Sequence, residues 1–288
     1  MIDADLAFAA KRGDLATVKR RLQADVNPSA SDNHAVRWAA RYGHVAVVER
    51  LLLDQRVDPS ASNNYAIQWA SRNGQLAVVE RLLRDQRVDP SAANNCALRW
   101  AATNGRIAVV KRLLRDSRVD PSDESNRAIR EAAWKGHLAI IDLLLQDKRV
   151  DPSDCGNEAV RLAGAHGRVT VVQRLMQDVR VDPSDCDNYA VRLAAMYGRF
   201  AVVNRLLEDS RVDVAVAMRY LRPEDCRQFE CRERLTEICI ALQALSLPAW
   251  VTVKILKAAR PWSTLQLHSK WALVCAVKHF HDKHPRTD

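Results

Sequence analysis

The side chains that could do chemistry are few and scattered. His279, His281 and His284 stand in "HFHDKH", and Cys226, Cys231 and Cys239 lie close together in sequence. Either group contains donors a transition metal accepts. The cysteines lack a fourth ligand at a zinc-like spacing, and the histidines sit on a terminal basic stretch that reads as a solvated helix end. His166 is a lone candidate base, read as a surface residue. No GxSxG, Walker loop or HExxH occurs. Nothing therefore spells out a nucleophile, a phosphate cradle or a zinc-hydrolase helix. The expectation is no catalytic residue, no cofactor and no metal, and hence a non-enzymatic protein.

The bulk properties narrow the class. The chain has 288 residues, 48% of them apolar, enough for a substantial core and too apolar for a disordered protein. Seven cysteines, an odd number with no CxxC pair, fit a reducing space, so an intracellular location, cytoplasmic or nuclear, is expected. The opening "MIDADLAFAAKRGDLATV" carries acids where a secretory signal needs bases. The most apolar stretch, 238–256, is interrupted by Gln243, Ser246, Pro248 and Lys254, which favours two packed helices over a membrane span. The net charge of +9 raises nucleic acid as a partner, but the arginines are periodic and interleaved with acids, which disfavours it.

The elements that position these residues are written repeatedly. "RVDPS" occurs at 56–60, 87–91, 118–122, 149–153 and 180–184, each copy 31 residues after the last. Gly43, Gly74, Gly105, Gly136, Gly167 and Gly198 keep the same interval, as do Asn33, Asn64, Asn95, Asn126, Asn157 and Asn188. A phrase copied at constant spacing marks a stacked structural unit. Within one copy, "NNYAIQWASRNG" places Ala66, Ile67, Trp69 and Ala70 on one face of a short helix that Gly74 stops in the αL region. "QLAVVERLL" is a second helix, buried on most of its circumference. "RVDPS" is the extended, turn-rich arm that follows, because Pro59 forces Asp58 out of the α region. Helices of under about ten residues are too short to stand alone, so stacking must supply the core. A degenerate first copy ends at Gly13 and Leu22, and the pattern fails after "RVDV" at 211–214.

The stretch "AVRWAARYGHVAVVERLLL", 35–53, resembles the ankyrin repeat, TPLHxAAxxGHxxVVxLLL. Ala39, Ala40, Gly43, His44, Val47, Val48, Leu51 and Leu52 fall on matching positions, and the resemblance runs from residue 3 to about 212. It departs where TPLH becomes "HAVR", "YAIQ", "CALR", "RAIR", "EAVR" and "YAVR", and the period of 31 is shorter than the family's roughly 33. The family's turn glycine is matched by Asp32, Asn63, Asn94, Gly156 and Asp187, residues that tolerate positive φ, with Ser125 the exception.

Comparison within the chain separates two sets of positions. Those fixed across copies serve the stack. Arg37, Arg99, Arg130, Arg161 and Arg192, with Gln68 breaking the row, stand where the family places its His. They read as donors to backbone carbonyls in preference to a phosphate-binding row. Arg56 and Asp58 and their copies are expected to pair along the arms. Trp38, Trp69 and Trp100 replace a family Leu and are expected in the core.

The variable set is the candidate binding surface. Before each Gly stand Arg41 and Tyr42, Arg72 and Asn73, Thr103 and Asn104, Trp134 and Lys135, Ala165 and His166, Met196 and Tyr197. Opening the first helices are His34, Tyr65, Cys96, Arg127, Glu158 and Tyr189. The resemblance implies that the residues before the Gly and at the arm tips line a concave, partner-binding face. Tyr, Trp, Arg and Met are the types enriched in interface cores. The arm tips also change from "ASD", "ASN" and "AAN" to "DES", "DCG" and "DCD". Asp123, Glu124, Asp154, Asp185 and Asp187 thus mark an acidic end, and Arg41 and Arg72 a basic one.

Residues 213–288 do not repeat. They read as a helical cap or docking segment, and "LSLPAWVTVKIL", 245–256, looks like the opening of an F-box, LPxxVxxxIL, which implies a ubiquitin-ligase adaptor as a partner. The expected architecture is all-α: an ankyrin-type solenoid of about seven helix pairs with short hairpin or turn arms over 1–212, then the helical extension. The expected function is a monomeric scaffold binding one or more proteins on the concave face. The alternatives are a ubiquitin-ligase substrate adaptor and, third, a nucleic-acid binder using the Arg row.

Overall fold

The computed structural model describes residues 2–24 and 26–220. The cysteine trio, the F-box-like stretch and the histidine-rich tail lie outside the described residues. Among those described there are fifteen helices and no strand, an all-α repeat solenoid. The chain divides at Cys155/Gly156 into two compact units. The first holds five helix pairs: α1 (Ile2–Arg12) and α2 (Leu15–Gln23), α3 (Ala30–Tyr42) and α4 (Val45–Leu52), α5 (Ala61–Asn73) and α6 (Leu76–Leu83), α7 (Ala92–Thr103) and α8 (Ile107–Leu113), α9 (Asp123–Lys135) and α10 (Leu138–Leu145). Helix α11 (Asp154–Ala165) starts at the junction. The second unit continues with α12 (Val169–Leu175), α13 (Asp185–Met196), α14 (Phe200–Leu206) and α15 (Val214–Tyr220).

In the first unit α1, α3, α5, α7 and α9 pack side by side as one layer. Helices α2, α4, α6, α8 and α10 form the other layer. The second layer is bound by the apolar positions of each "AVVERLL": Val78, Val79 and Leu82 are fully buried in α6, as are their counterparts Val109, Val110 and Leu113 in α8. Each such side chain contributes about 1.5–3 kcal/mol on leaving water. The first layer packs closely through alanines, Ala39 and Ala40, Ala70, Ala101 and Ala102, all without exposed surface. Each pair turns at a glycine in the left-handed region. Gly43 has φ 82°, and a Cβ there would lie 2.3 Å from the Gln75 Oε1 atom.

The arms are turns, one of the two forms expected, with no strand pairing among the described residues. They differ from expectation in two ways. Arg56 is forked onto Asp54: its Nε and Nη2 donate at 3.0 and 2.8 Å, and Arg87–Asp85, Arg118–Asp116 and Arg149–Asp147 repeat the fork. In the second unit Arg211 also lies 3.7 Å from Asp182 of the preceding arm, a pair of the expected residue types. Asp58 is engaged elsewhere: its Oδ1 accepts the Ser60 N–H at 2.9 Å and the Ser60 hydroxyl at 2.6 Å, closing the Pro59 turn. The same arginines reach back one repeat, Arg87 to the Val57 carbonyl at 2.8 Å and Arg118 to that of Val88 at 2.9 Å. They therefore tie arm to arm as well as closing their own turns.

The second difference is at the arm tips. One residue per tip was expected at positive φ, with Ser125 the exception in residue type. Three in succession adopt it, Ser31, Asp32 and Asn33 at φ 53°, 56° and 59°, and the run recurs at 62–64, 93–95, 124–126, 155–157 and 186–188. Ser125 conforms at φ 55°. Such a run costs roughly 1–2 kcal/mol for each non-glycine residue, so other contacts must hold it. Two do. Arg37 donates to the Ser31 carbonyl at 2.9 Å and Arg130 to that of Glu124 at 2.8 Å, with Gln68 substituting on Asn63 at 2.6 Å. The third residue of the run, always Asn, is nearly buried, and its Oδ1 accepts the Asp N–H of the next arm. Asn33–Asp58, Asn64–Asp89, Asn95–Asp120 and Asn126–Asp151 are bonded at 2.7–2.9 Å. In the second unit, Asn157–Asp182 and Asn188–Asp213 continue the pattern at 2.8 Å.

The forks make the fold acid-sensitive. Hydrogen bonds from Arg56, Arg87, Arg118 and Arg149 hold Asp54, Asp85, Asp116 and Asp147 below their ordinary pKa of 3.8. A carboxylate depressed on folding contributes stability that is complete above its unfolded pKa and lost as pH falls through the folded one. The melting temperature is expected to hold from neutrality to about pH 5 and to drop below about pH 4. Replacing Asp85 and Asp116 by Asn should flatten that drop. An unchanged acid limb in the double variant would remove the forks from the account.

Candidate functional site

In the first unit, α3, α5 and α7 each carry a Trp at the same register. Trp38, Trp69 and Trp100 are half-buried, a correction to their expected place in the core. The neighbouring alanines and Val36, Ile67 and Leu98 are fully buried, and this register lies at the edge of the layer, since Leu162 and Leu193, which hold it in the second unit, are half-buried as well. Trp69 and Trp100 meet edge to face with centroids 5.4 Å apart, and Tyr65 stands edge-on to Trp100 at 6.3 Å. His34 packs edge-on to Trp38 at 4.2 Å, and burial, with Arg37 beside it, lowers the His34 pKa.

Cations lie over these rings. The Arg41 guanidinium is 4.2 Å from the Trp69 centroid, and Arg72 is 4.9 Å from Trp69 and 5.4 Å from Trp100. The Lys11 ammonium lies 4.9 Å from Trp38 and 5.7 Å from Tyr42. Contacts of this kind contribute about 0.5–2 kcal/mol and fix the cation in place. Between α3 and α5 the face opens into a groove of about 210 Å³ lined by His34, Arg37, Trp38, Arg41, Tyr65 and Trp69.

The remaining sequence-expected positions divide between surface and scaffold. Tyr42, Tyr65 and Trp134 are exposed, and Lys135 caps the Trp134 ring at 3.6 Å. Asn73 and Asn104 donate to the carbonyls of Trp69 and Trp100, both at 2.8 Å, and so finish their helices. Thr103 donates to the Arg99 carbonyl at 2.7 Å and also contacts Glu131. Arg127 is held at 2.7 Å by both Glu124 and Glu131, which raise its pKa. In the second unit His166, Met196 and Tyr197 are exposed, and Glu158 and Tyr189 are half-buried. Arg161 and Arg192 flank the Tyr189 ring at 5.4 and 5.3 Å.

The acidic end is more internal than its composition implies. Asp123 accepts from Asn95 at 2.9 Å, Asp154 from Asn126 at 2.9 Å, and Asp185 from Asn157 at 2.8 Å, so these carboxylates brace the Asn ladder. Glu124 is occupied by Asn94, Arg99 and Arg127. Asp187 alone among them is largely exposed, 3.4 Å from Arg192.

One tie escaped the comparison of copies. The residue after the Gly varies, yet in several copies it bonds the previous repeat. The His44 ring donates to the Lys11 carbonyl at 2.9 Å, Arg106 to that of Arg72 at 3.1 Å, and His137 to that of Thr103 at 3.1 Å. Any long side chain with an N–H meets that need, so variability concealed a fixed role.

Among the described residues, no group of three His, Cys, Asp or Glu side chains is placed to hold a metal ion, and no helix is long and apolar enough to cross a membrane. Cys96 is buried, and burial pushes its thiol pKa up, while Cys155 and Cys186 are exposed. Residues 6–94 and 37–125 each match the family model described as ankyrin repeats (3 copies). No curated protein matches the chain.

Proposed function

The chain carries ankyrin repeats over residues 6–125, and from that premise we propose that it is a non-enzymatic scaffold binding a protein partner on the Trp38–Trp69–Trp100 face. Ankyrin repeats generally mediate protein–protein interaction. The observation that carries the proposal is the half-buried indole row with its cations and the exposed Tyr42, Tyr65 and Arg72 around it. Aromatic and Arg side chains held rigid at a surface lose little entropy on binding, and such residues dominate interface energetics. The Arg37, Arg99 and Arg130 row donates to carbonyls of its own turns, which favours a protein ligand over phosphates along that row. The F-box-like stretch carries no part of this proposal.

The test replaces Tyr42, Arg72 and Trp134 by Ala in the full chain. Partner capture from cell lysate is expected to fall at least about tenfold, since each truncation at a binding centre costs roughly 1–2 kcal/mol. The melting temperature should stay within about 2 °C, because all three are exposed. Capture retained at full strength, or lost only together with the fold, would overturn the proposal.

A further inference from the structure

Three cations on this face make no ion pair among the described residues, unlike Arg99 and Arg127, which are held by Glu124. Every arm Arg of the first unit from Arg56 to Arg149 is forked onto an Asp two residues before it. Lys11, Arg41 and Arg72 instead lie on indole and phenol rings, and among the described residues none of the three makes a salt bridge. Arg12, over the exposed Phe8 ring at 5.7 Å, adds a fourth cation on α1. A ring orders a guanidinium without neutralising it, and a stacked guanidinium keeps its N–H edge available for a bidentate acceptor.

We propose that this face takes an acidic polypeptide segment, its carboxylates engaging Arg41 and Arg72 and one aromatic or long apolar side chain filling the groove between Trp38 and Trp69. The inference rests on the reading of this face as a protein-docking surface and adds the chemistry of the partner. Three observations select it. The guanidinium carbons of Arg41 and Arg72 lie 4.2 and 4.9 Å from the same Trp69 ring, so acids two residues apart in an extended strand, about 7 Å, can reach both. The groove is lined by His34, Trp38, Tyr65 and Trp69 together with Arg37 and Arg41, a socket for one anchoring side chain beside cations. A nucleic acid would also supply anions. However, Trp69 and Trp100 are closed against each other edge to face at 5.4 Å, and Arg41 and Arg72 cover the Trp69 ring, so the indoles present no open slot for a base.

The test is fluorescence anisotropy on the full chain with a short fluorescein-labelled peptide in which Glu alternates with Ser around one central Phe. The same peptide with Gln for Glu, and an oligothymidylate of equal charge, serve as comparisons. The Glu peptide is expected to bind at least about tenfold tighter than the Gln peptide and tighter than the oligonucleotide, with an affinity that falls as salt rises. Arg41→Ala and Arg72→Ala should each weaken it about tenfold, and Arg41→Lys should weaken it less, since charge persists without the planar fork. Arg84→Ala removes an exposed cation at the end of α6, away from the rings, and should change affinity less than about twofold.

Equal affinity for the Glu and Gln peptides would overturn the charge-based inference while leaving the docking surface standing. Preference for the oligonucleotide would overturn it in favour of nucleic acid. An Arg84→Ala loss equal to that of Arg41→Ala would reduce the effect to net charge and overturn it. Failure of every peptide, with the Tyr42/Arg72/Trp134 variant still losing its captured partner, would sink this inference alone. If that variant keeps the partner, the docking reading fails with it.

Discussion

Asn95→Ala should destabilise the protein by about 3 kcal/mol, more than any change on the exposed aromatic face. Asn95 is 4% exposed. Its Oδ1 accepts the Asp120 N–H at 2.9 Å, its Nδ2 donates to Asp123 at 2.9 Å, and its backbone sits at φ 53°. Alanine removes the acceptor of a part-buried N–H and tolerates the left-handed region less well, each at a cost of roughly 1–2 kcal/mol. The same position one repeat earlier provides the control. Asn64 accepts the Asp89 N–H at 2.8 Å, but the residue in place of Asp123 is Ala92, so Asn64→Ala should cost less. Asn64→Asp keeps the acceptor and should be mild, whereas Asn95→Asp sets two carboxylates against each other and should be severe. Urea denaturation of the four variants reads this order. Equal losses at both positions would remove the Asp123 brace from the account.

The second large effect is in the apolar layer. Leu82 in α6 has no exposed surface, and Leu82→Ala should cost about 3–4 kcal/mol, the transfer free energy plus the cavity left behind. Leu76, at the start of the same helix, is half-buried, and its truncation should cost about 1 kcal/mol. Both are read as shifts in the urea midpoint of the full chain. If Leu76 proves as costly as Leu82, the close packing of the second layer is drawn wrongly.

What was legible beforehand follows from what repetition records. A demand that admits one residue type at one position recurs unchanged. The interval of 31 therefore exposed the glycine stops, the AVVERLL layer and the Asn at each tip as fixed. It did not say what the Asn bonds to, because the partner is a backbone N–H of the next arm and carries no residue signature. A demand that several residue types satisfy recurs in disguise, and so His44, Arg106 and His137 went unrecognised as ties.

Proximity in sequence also misassigned Arg56. Asp54 and Asp58 are equally distant along the chain, and the Pro59 turn takes Asp58 for Ser60. The tryptophans were misplaced because their register was equated with a buried Leu of the family, whereas in this chain the register lies at the edge of the layer: Leu162 and Leu193, which hold it in the second unit, are half-buried too. Indoles at that edge form the ring row on which Arg41 and Arg72 lie.

The central claim is that this ring row is the docking surface. Hydrogen exchange of the full chain, measured alone and with its captured partner, tests it most directly. Helices α3, α5 and α7 carry the row, and α4, α6 and α8 lie in the other layer. Protection on binding should appear in the last turns of α3, α5 and α7, around Arg41, Arg72 and Thr103, and at the helix openings near His34 and Tyr65. Amides of α4, α6 and α8 should exchange as in the free chain. Protection confined to α4, α6 and α8, or none within residues 30–104, would contradict the claim.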